Sequence, residues 1–491
     1  MHASPTAILS APSLVAARRP KWALNIAAAA GIGALAWLVF SRAFVNYDTL
    51  YALIWGRDLA HGRTPDYEVT LAPTPHPLAE AVGLVLSPLG EDGAYAGMLL
   101  LAMFAFGALV WGVYLLGTQC FGWAAGALAA FVVATREPFL SQGVRAYVDV
   151  PFLALVVAAA VLEARRERRG TPVLVLLGLA GLLRPEAWLL AAAYVVWLWP
   201  ALSAAGRWRA VALAAAAPVL WAASDWVITG EPLFSFTNTR DTAETLGRPR
   251  GIEHVPEIMP RRLGEILRWV PLIGGAGGFV LAMVIARREA RVPAGVAVVS
   301  GFGFVLIGIA GLSLLGRYLL LPAAMLSVFF GFAALGWLRW RKVRWRAVWL
   351  GAAAVLLVAF VGSTISHQSD RLDKLRDGIQ LRGRMQDDLR ALTEDHRVGP
   401  LLESCGPVYV PNHRPVPILA WYLDRPPDRF KSAKLEQPRR GLFVGPATAE
   451  VRDKFVLDPH DPGKLAVPDH PDGFRRVAEN RSWVLYERGC S

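Results

Sequence analysis

Long apolar runs alternate with short polar connections from Trp22 to about residue 365. Runs of that length predict helices that cross a membrane. They fall at about 22–44, 94–117, 122–135, 149–163, 172–183, 186–200, 210–228, 270–286, 293–315, 318–338 and 347–365, which makes eleven spans. The first run is too long for the apolar region of a signal peptide and reads as an uncleaved helix.

Two stretches break this pattern. In the polar segment 45–93, Leu50, Ile54, Trp55 and Leu59 recur at helical spacing. They predict an amphipathic helix over Asp48–Leu59, lying along the membrane surface. His61-Gly62-Arg63-Thr64-Pro65 ends it. The segment Pro73–Leu78 then leads into a second short helix, Ala79–Leu86. Beyond residue 365 the chain is charged and proline-rich. Leu372, Leu375, Ile379, Met385, Leu389 and Leu392 predict a helix leading out of the membrane. Residues 407–411, 441–445 and 482–487 read as short strands, with a helix over 418–423. The expected architecture is an α-helical polytopic membrane domain, 1–365, followed by a small α/β domain, 366–491.

Composition agrees with this. Hydrophobic residues make up 54% of 491, and the mean hydropathy is +0.38. The net charge of +12 is no sign of nucleic-acid binding, because the basic residues cluster in short connections between spans. The clusters are Arg18/Arg19/Lys21, Arg165/Arg166/Arg168/Arg169, Arg207/Arg209, Arg287/Arg288/Arg291 and Arg339/Arg341/Lys342/Arg344/Arg346. With eleven spans, one topology puts all five on the cytoplasmic side. The N-terminus is then cytoplasmic and the C-terminal domain extracytoplasmic. Cys405 and Cys490 bracket that domain on the oxidising side, and we expect a disulfide between them; the alternative is two free thiols. Cys120 falls in an inner turn. No Cys or His spacing resembles a metal site.

The same topology gathers the remaining charges on the outer face. Asp48 follows the first span, Arg145 and Asp149 flank the start of the fourth, Arg184 and Glu186 join the fifth and sixth, and Arg317 with Tyr318 joins the ninth and tenth. Ionisable groups at membrane depth are costly and are functional candidates by default. Each has a simpler reading. Asp48 could cap the surface helix, and Asp149 could cap the fourth span. Arg184 and Arg317 could snorkel to the interface. Glu186 could simply pair with Arg184, and His76 could start a helix.

Several of these residues stand in motifs that resemble the GT-C superfamily of multi-span glycosyltransferases, which includes protein O-mannosyltransferases and the lipid A aminoarabinose transferase. Asp48 with Tyr51, Ala52, Leu59 and Gly62 resembles the family's first outer loop. His76-Pro77-Leu78 is similar to its His-Pro-Pro-Leu element, without the second proline. Tyr147–Leu153 looks like the acid that opens the fourth span. Leu183-Arg184-Pro185-Glu186, Thr229-Gly230-Glu231-Pro232-Leu233 and Gly316-Arg317-Tyr318-Leu319-Leu320-Leu321-Pro322 look like further family elements. Protein mannosyltransferases carry an Asp-Glu pair in the first loop, whereas here Asp48 precedes Thr49.

The resemblance implies a donor made of a sugar on a polyprenyl phosphate and an acceptor in the cell envelope: a glycan, a glycolipid or a protein. It implies Asp48 as general base, with Asp149 beside it in the catalytic set to orient the acceptor or hold Arg145, and Arg317, Arg184 and Arg145 on the donor phosphate. Tyr51, His76, Glu186 and Tyr318 would bind substrate. A divalent cation is left open, and no other cofactor is implied. Two other classes compete. A transporter or flippase of lipid-linked glycans should carry charges in mid-helix and paired broken helices; this chain places its charges at one face. A catalytically inactive scaffold is the third reading. The sugar, the acceptor, the prenol length and the oligomeric state are not legible in the sequence.

Overall fold

A backbone surrounded by lipid must satisfy its own hydrogen bonds, so uninterrupted apolar runs have to become helices. A computed structural model describes residues 21–340, 343–456 and 471–490. Arg18, Arg19, Arg341 and Lys342 of the basic clusters lie outside the described residues. In chain order the helices are α1 (Lys21–Phe40), α2 (Tyr47–Ala60), α3 (Pro77–Leu86), α4 (Gly90–Phe121), α5 (Trp123–Thr135), α6 (Glu137–Val144), α7 (Asp149–Arg165) and α8 (Thr171–Gly181). They continue as α9 (Glu186–Leu198), α10 (Ala204–Thr229), α11 (Phe234–Thr245), α12 (Val255–Leu267), α13 (Trp269–Ile285), α14 (Arg287–Ile309), α15 (Leu320–Leu335) and α16 (Arg346–Glu394).

Every predicted span has a helix at its place. Six helical stretches are long and apolar enough to cross a membrane; the pairs α6–α7 and α12–α13 qualify as bent units, and α5, α8 and α9 are shorter apolar helices. The protein is therefore a multi-pass membrane protein. Small residues let the central helices approach closely. A side chain at Gly107 of α4 would strike the Ala29 carbonyl of α1, and one at Gly278 of α13 would strike the Phe329 carbonyl of α15.

The basic connections gather at one face. Arg291 pairs with Glu167 at 2.7 Å, and Arg339 reaches the carbonyls of Gln119 and Cys120 that close α4. Glu163 accepts from the backbone N–H groups of Arg168 and Arg169 and from Tyr194 and Trp197. The opposite ends of these helices carry Asp48, Arg145, Arg184 and Arg317.

The segment after α1 departs from expectation. Helix α2 does not turn an apolar stripe to lipid: Thr49 through Arg57 are all buried. The expected amphipathic pattern has Ala52, Leu53 and Gly56 on its other faces, and these are covered too. Gly56 and Gly83 bring α2 against α3, so close that a Cβ on either would meet the other helix's backbone. Trp55, which suits an interface anchor by its type, is buried and donates to the Asp66 carbonyl.

The rest of α2 is covered by the C-terminal domain. It contains α17 (Gly399–Ser404), α18 (Val416–Tyr422), β1 (Val408–Val410), β2 (Phe430–Ser432), β3 (Gly441–Pro446), β4 (Arg475–Glu479) and β5 (Trp483–Arg488). The sheet order is β2-β1-β3-β5-β4. β1 runs parallel to β2 and β3, while β5 is antiparallel to β3 and β4. The edge strands β2 and β4 are absent from the sequence reading because edge strands are short and charged, as Arg475 and Arg476 illustrate. One face of the sheet packs on Met385, Leu389 and Leu392 of α16 and shares a core with Leu50, Leu53 and Ile54 of α2. The expected division at residue 365 falls inside α16, which runs unbroken from the membrane region into this domain.

Cys405 and Cys490 form a disulfide with Cα atoms 5.4 Å apart, 85 residues apart in sequence. In the chain-entropy model, closing a loop of that length stabilises by about 4–5 kcal/mol. Replacing both cysteines by serine should therefore lower the unfolding midpoint of the C-terminal domain while leaving the membrane helices in place. Midpoints that coincide for the two proteins under non-reducing conditions would refute the contribution, and a mass map under the same conditions would report the bond itself.

Candidate active site

The site grows from the first turn of α2. Asn46, not Asp48, is the helix cap: its side-chain oxygen accepts from the N–H groups of Asp48 at 2.8 Å and Thr49 at 3.3 Å. Asn46 also donates to the Arg145 carbonyl at 2.8 Å, and the Thr49 hydroxyl donates to the Ala146 carbonyl at 2.7 Å. These bonds stitch α2 to the bend between α6 and α7. With the cap supplied elsewhere, the Asp48 carboxylate turns to the guanidinium of Arg317, with Nη1 at 2.7 Å. Arg317 lies in the 3₁₀ turn Gly316–Leu319 that precedes α15. Burial pushes the Asp48 carboxyl up, but Arg317, with smaller help from Arg248, holds it below the ordinary carboxylate range.

A second charge group stands beside the first. Asp149, in the first turn of α7, pairs with Arg184 rather than with its sequence neighbour Arg145. Arg184 also reaches Glu186 at 2.8 Å and lies over the Tyr318 ring at 4.5 Å. Asp149 and Arg184 are buried. Arg145 has a different setting. It donates to the Tyr147 hydroxyl at 3.1 Å and, more weakly, to Ser141, and it lies over the Phe44 and Tyr147 rings. His76 stands at the N-cap position of α3, with its ring edge-on to Trp221. Burial, reinforced by Arg184, lowers its imidazole to about 3, so it is neutral near pH 7.

These side chains border a cavity of about 1080 Å³. Asp48, His76, Arg145, Arg184, Glu186, Arg317 and Tyr318 line it, so the structure brings together most of the residues singled out in the sequence. Two are not on the wall. Asp149 sits behind Arg184. Tyr51 is buried between the rings of Tyr47 and Trp55, where it packs rather than faces a ligand. The wall also holds residues that sequence reasoning passed over. Arg248 and Arg262 come from the polar segment after α10, Arg382 from α16, and His413 and Arg414 from the C-terminal domain. Trp188, Trp221 and Asp225 form another stretch of wall, with Asp225 accepting from the N–H and hydroxyl of Ser235. The lining thus has seven arginines against three carboxylates. The missed arginines carry no local motif; only their convergence marks them. No group of three or more His, Cys, Asp or Glu side chains is placed to hold a metal ion among the described residues.

No protein-family model matches the chain, and no curated protein sequence matches it. Solved structures do. ArnT from Cupriavidus metallidurans bound to undecaprenyl phosphate aligns with a TM-score of 0.54 at 14% identity, over 95% of this chain and 97% of that one. The apo state of the same protein aligns at 0.52 and 13%, with the same coverage. The apo Archaeoglobus fulgidus oligosaccharyltransferase aligns at 0.46 and 12%, over 84% of this chain and 64% of that one. The chain shares the fold of ArnT from Cupriavidus metallidurans.

Breaking a buried ion pair from one side costs about 3–5 kcal/mol, because the other charge stays buried. Arg184→Gln strands both Asp149 and Glu186. It should lower the thermal unfolding midpoint of the detergent-solubilised protein well below that of Arg145→Gln, whose removal strands no carboxylate. Equal midpoints for the two variants would contradict the assignment of Arg184 as the structural cation.

Proposed function

We propose that the chain is a membrane glycosyltransferase that moves a sugar from a polyprenyl phosphate to an acceptor on the outer face of a cell membrane. The observation that carries this reading is the Asp48–Arg317 pair on the wall of a large, arginine-rich cavity at the ends of the spans. The fold it shares with a protein seen bound to undecaprenyl phosphate supports the donor class. The acceptor is a glycan, glycolipid or protein of the envelope, and the transferred group a hexose or pentose.

The chemistry follows from the charges. The acceptor hydroxyl attacks the sugar's C1, the bond from C1 to the phosphate oxygen breaks, and polyprenyl phosphate leaves. Asp48 takes the hydroxyl proton. Attack opposite the leaving group inverts C1. The charge that grows on the leaving oxygen needs a cation, and guanidinium suits a phosphate because it donates in a planar fork. Among the three arginines singled out in the sequence, Arg145 holds only neutral partners and is the foremost anchor. Arg317 holds Asp48 through Nη1 and lies on the cavity wall, so the rest of its guanidinium can serve the phosphate. As phosphate draws on that guanidinium, its hold on Asp48 loosens and the carboxylate becomes a better base as the donor arrives. Arg184, committed to Asp149 and Glu186, shapes the wall, and Tyr318 stacks on it. Asp149 acts through Arg184.

Asp48→Asn keeps the size of the side chain but cannot take a proton. It should lower turnover by about 10²–10⁴-fold, the usual share of general acid–base catalysis, with folding and donor binding nearly unchanged. Arg145→Ala should instead weaken donor binding. The assay is transfer from a lipid-linked sugar by purified protein, with donor affinity measured separately. Near-wild-type turnover by a well-folded Asp48→Asn variant would remove Asp48 as base.

The same reading sets the orientation: N-terminus cytoplasmic, C-terminal domain and cavity outside. Membrane-impermeant thiol reagent on intact cells should label a cysteine introduced at Thr70 or Asp370 and miss one at Arg168 or Arg344. Labelling at Arg168 would reverse the orientation.

A further inference from the structure

A second groove, of about 420 Å³, lies away from the cavity and shares no lining residue with it. It runs between α13 and α16 and is walled by Trp269, Val270, Ile273, Val355, Leu356 and Ala359. Trp269, Ile273 and Val355 are well exposed on the apolar flank that faces lipid. Such a groove in a membrane protein takes an apolar chain; its end decides which kind.

That end is basic. Arg268 directly precedes Trp269 and reaches Glu137 at 3.1 Å. Arg371, farther along α16, approaches the same carboxylate at 4.0 Å. Arg136 lies over the ring of Phe360, the neighbour of Ala359, and donates to Gln368 at 2.7 Å. Two guanidiniums therefore share the Glu137 carboxylate, and Arg136 stands within reach of the charges of all three. Burial lowers Arg136 to about 10, opposed by Glu137 and reinforced by the charges of Arg268 and Arg371. The arrangement is more than snorkelling, in which single long side chains reach for water, because Arg136 is buried and all three converge. The Arg268 and Arg371 side chains remain 32% and 37% exposed and can be reached. Arg268 also adopts φ 68° and ψ 159° at the bend between α12 and α13, a region almost confined to glycine.

We propose that this groove binds a bilayer phospholipid with an anionic headgroup, its acyl chain between α13 and α16 and its phosphate at Arg268 and Arg371. Charge complementarity selects the headgroup: a choline cation would meet three guanidiniums. This site is independent of the glycosyltransferase reading, whose donor phosphate must sit beside Asp48. It also gives the α12–α13 bend, at the end of the helix from which Arg262 faces the cavity, a lipid on which to rest.

The test is native mass spectrometry of the detergent-purified full chain after incubation with equal amounts of phosphatidylglycerol and phosphatidylcholine. Phosphatidylglycerol should be retained roughly tenfold or more over phosphatidylcholine, as expected for one to two arginines near an anionic head. The double variant Arg268→Gln/Arg371→Gln should abolish the preference. Val355→Trp, a change on an exposed face, should block the groove and lower retention of the lipid with the basic cluster intact. Equal retention of both lipids by the native protein, or unchanged preference in the double variant, overturns the proposal. So does full retention by Val355→Trp. Displacement of the lipid by equimolar glycerol phosphate would mean that the cluster binds a free anion and the groove holds no chain, which also overturns it.

Discussion

A guanidinium buried at membrane depth must be neutralised where it stands, and Arg184 meets this demand with three elements at once. It joins Asp149 on α7 to Glu186 on α9 and covers the Tyr318 ring in the turn before α15. Each of those groups would be costly alone. Together they hold the ends of three helical segments in one register. Arg317, one residue from Tyr318, is thereby presented to Asp48. Asp48 and its cationic partner depend on a tie in which neither takes part.

The second support comes from outside the membrane region. Arg57, near the end of α2, donates to the carbonyls of Ala420 and Trp421 at 3.2 and 2.9 Å and lies over the Trp421 ring. A cation at the C-terminal end of α18 also meets the negative end of that helix. At the other end of α2, the Tyr47 ring packs edge-on against His413. The helix that carries Asp48 is therefore held between the α6–α7 bend, α3 and the C-terminal domain. That domain closes part of the cavity with His413 and Arg414, so it is a wall of the site as well as an appendage. The continuity of α16 across the expected boundary gives it a rigid mount.

Much of the helical plan was legible in the chain, because lipid leaves an apolar run of that length few alternatives to a helix. The strands with buried faces, β1, β3 and β5, were legible for a similar reason: their apolar runs are bounded by proline, glycine and polar residues. The charges at span ends stood out because a polar group in such a setting needs a reason. Pairing was not legible. Arg145 is four residues from Asp149, yet Asp149 pairs with Arg184, since the bend between α6 and α7 turns the nearer arginine toward Tyr147. Nor could the sequence say that Asn46 caps α2 and so releases Asp48 for Arg317, because cap and carboxylate stand two residues apart and both residue types cap helices.

The helices, the side of the bundle that collects the charged span ends, and the resemblance carried by the motifs around Asp48, Arg184 and Arg317 can all be read along the chain. These follow from local composition and spacing. It takes the assembled fold to show that protein covers α2, that Tyr51 packs between rings, and that Arg248, Arg262, Arg382 and Arg414 reach one cavity from segments far apart in the chain. Burial and convergence depend on what arrives from elsewhere to cover a face or complete a wall, and no local pattern of apolar and polar residues records that.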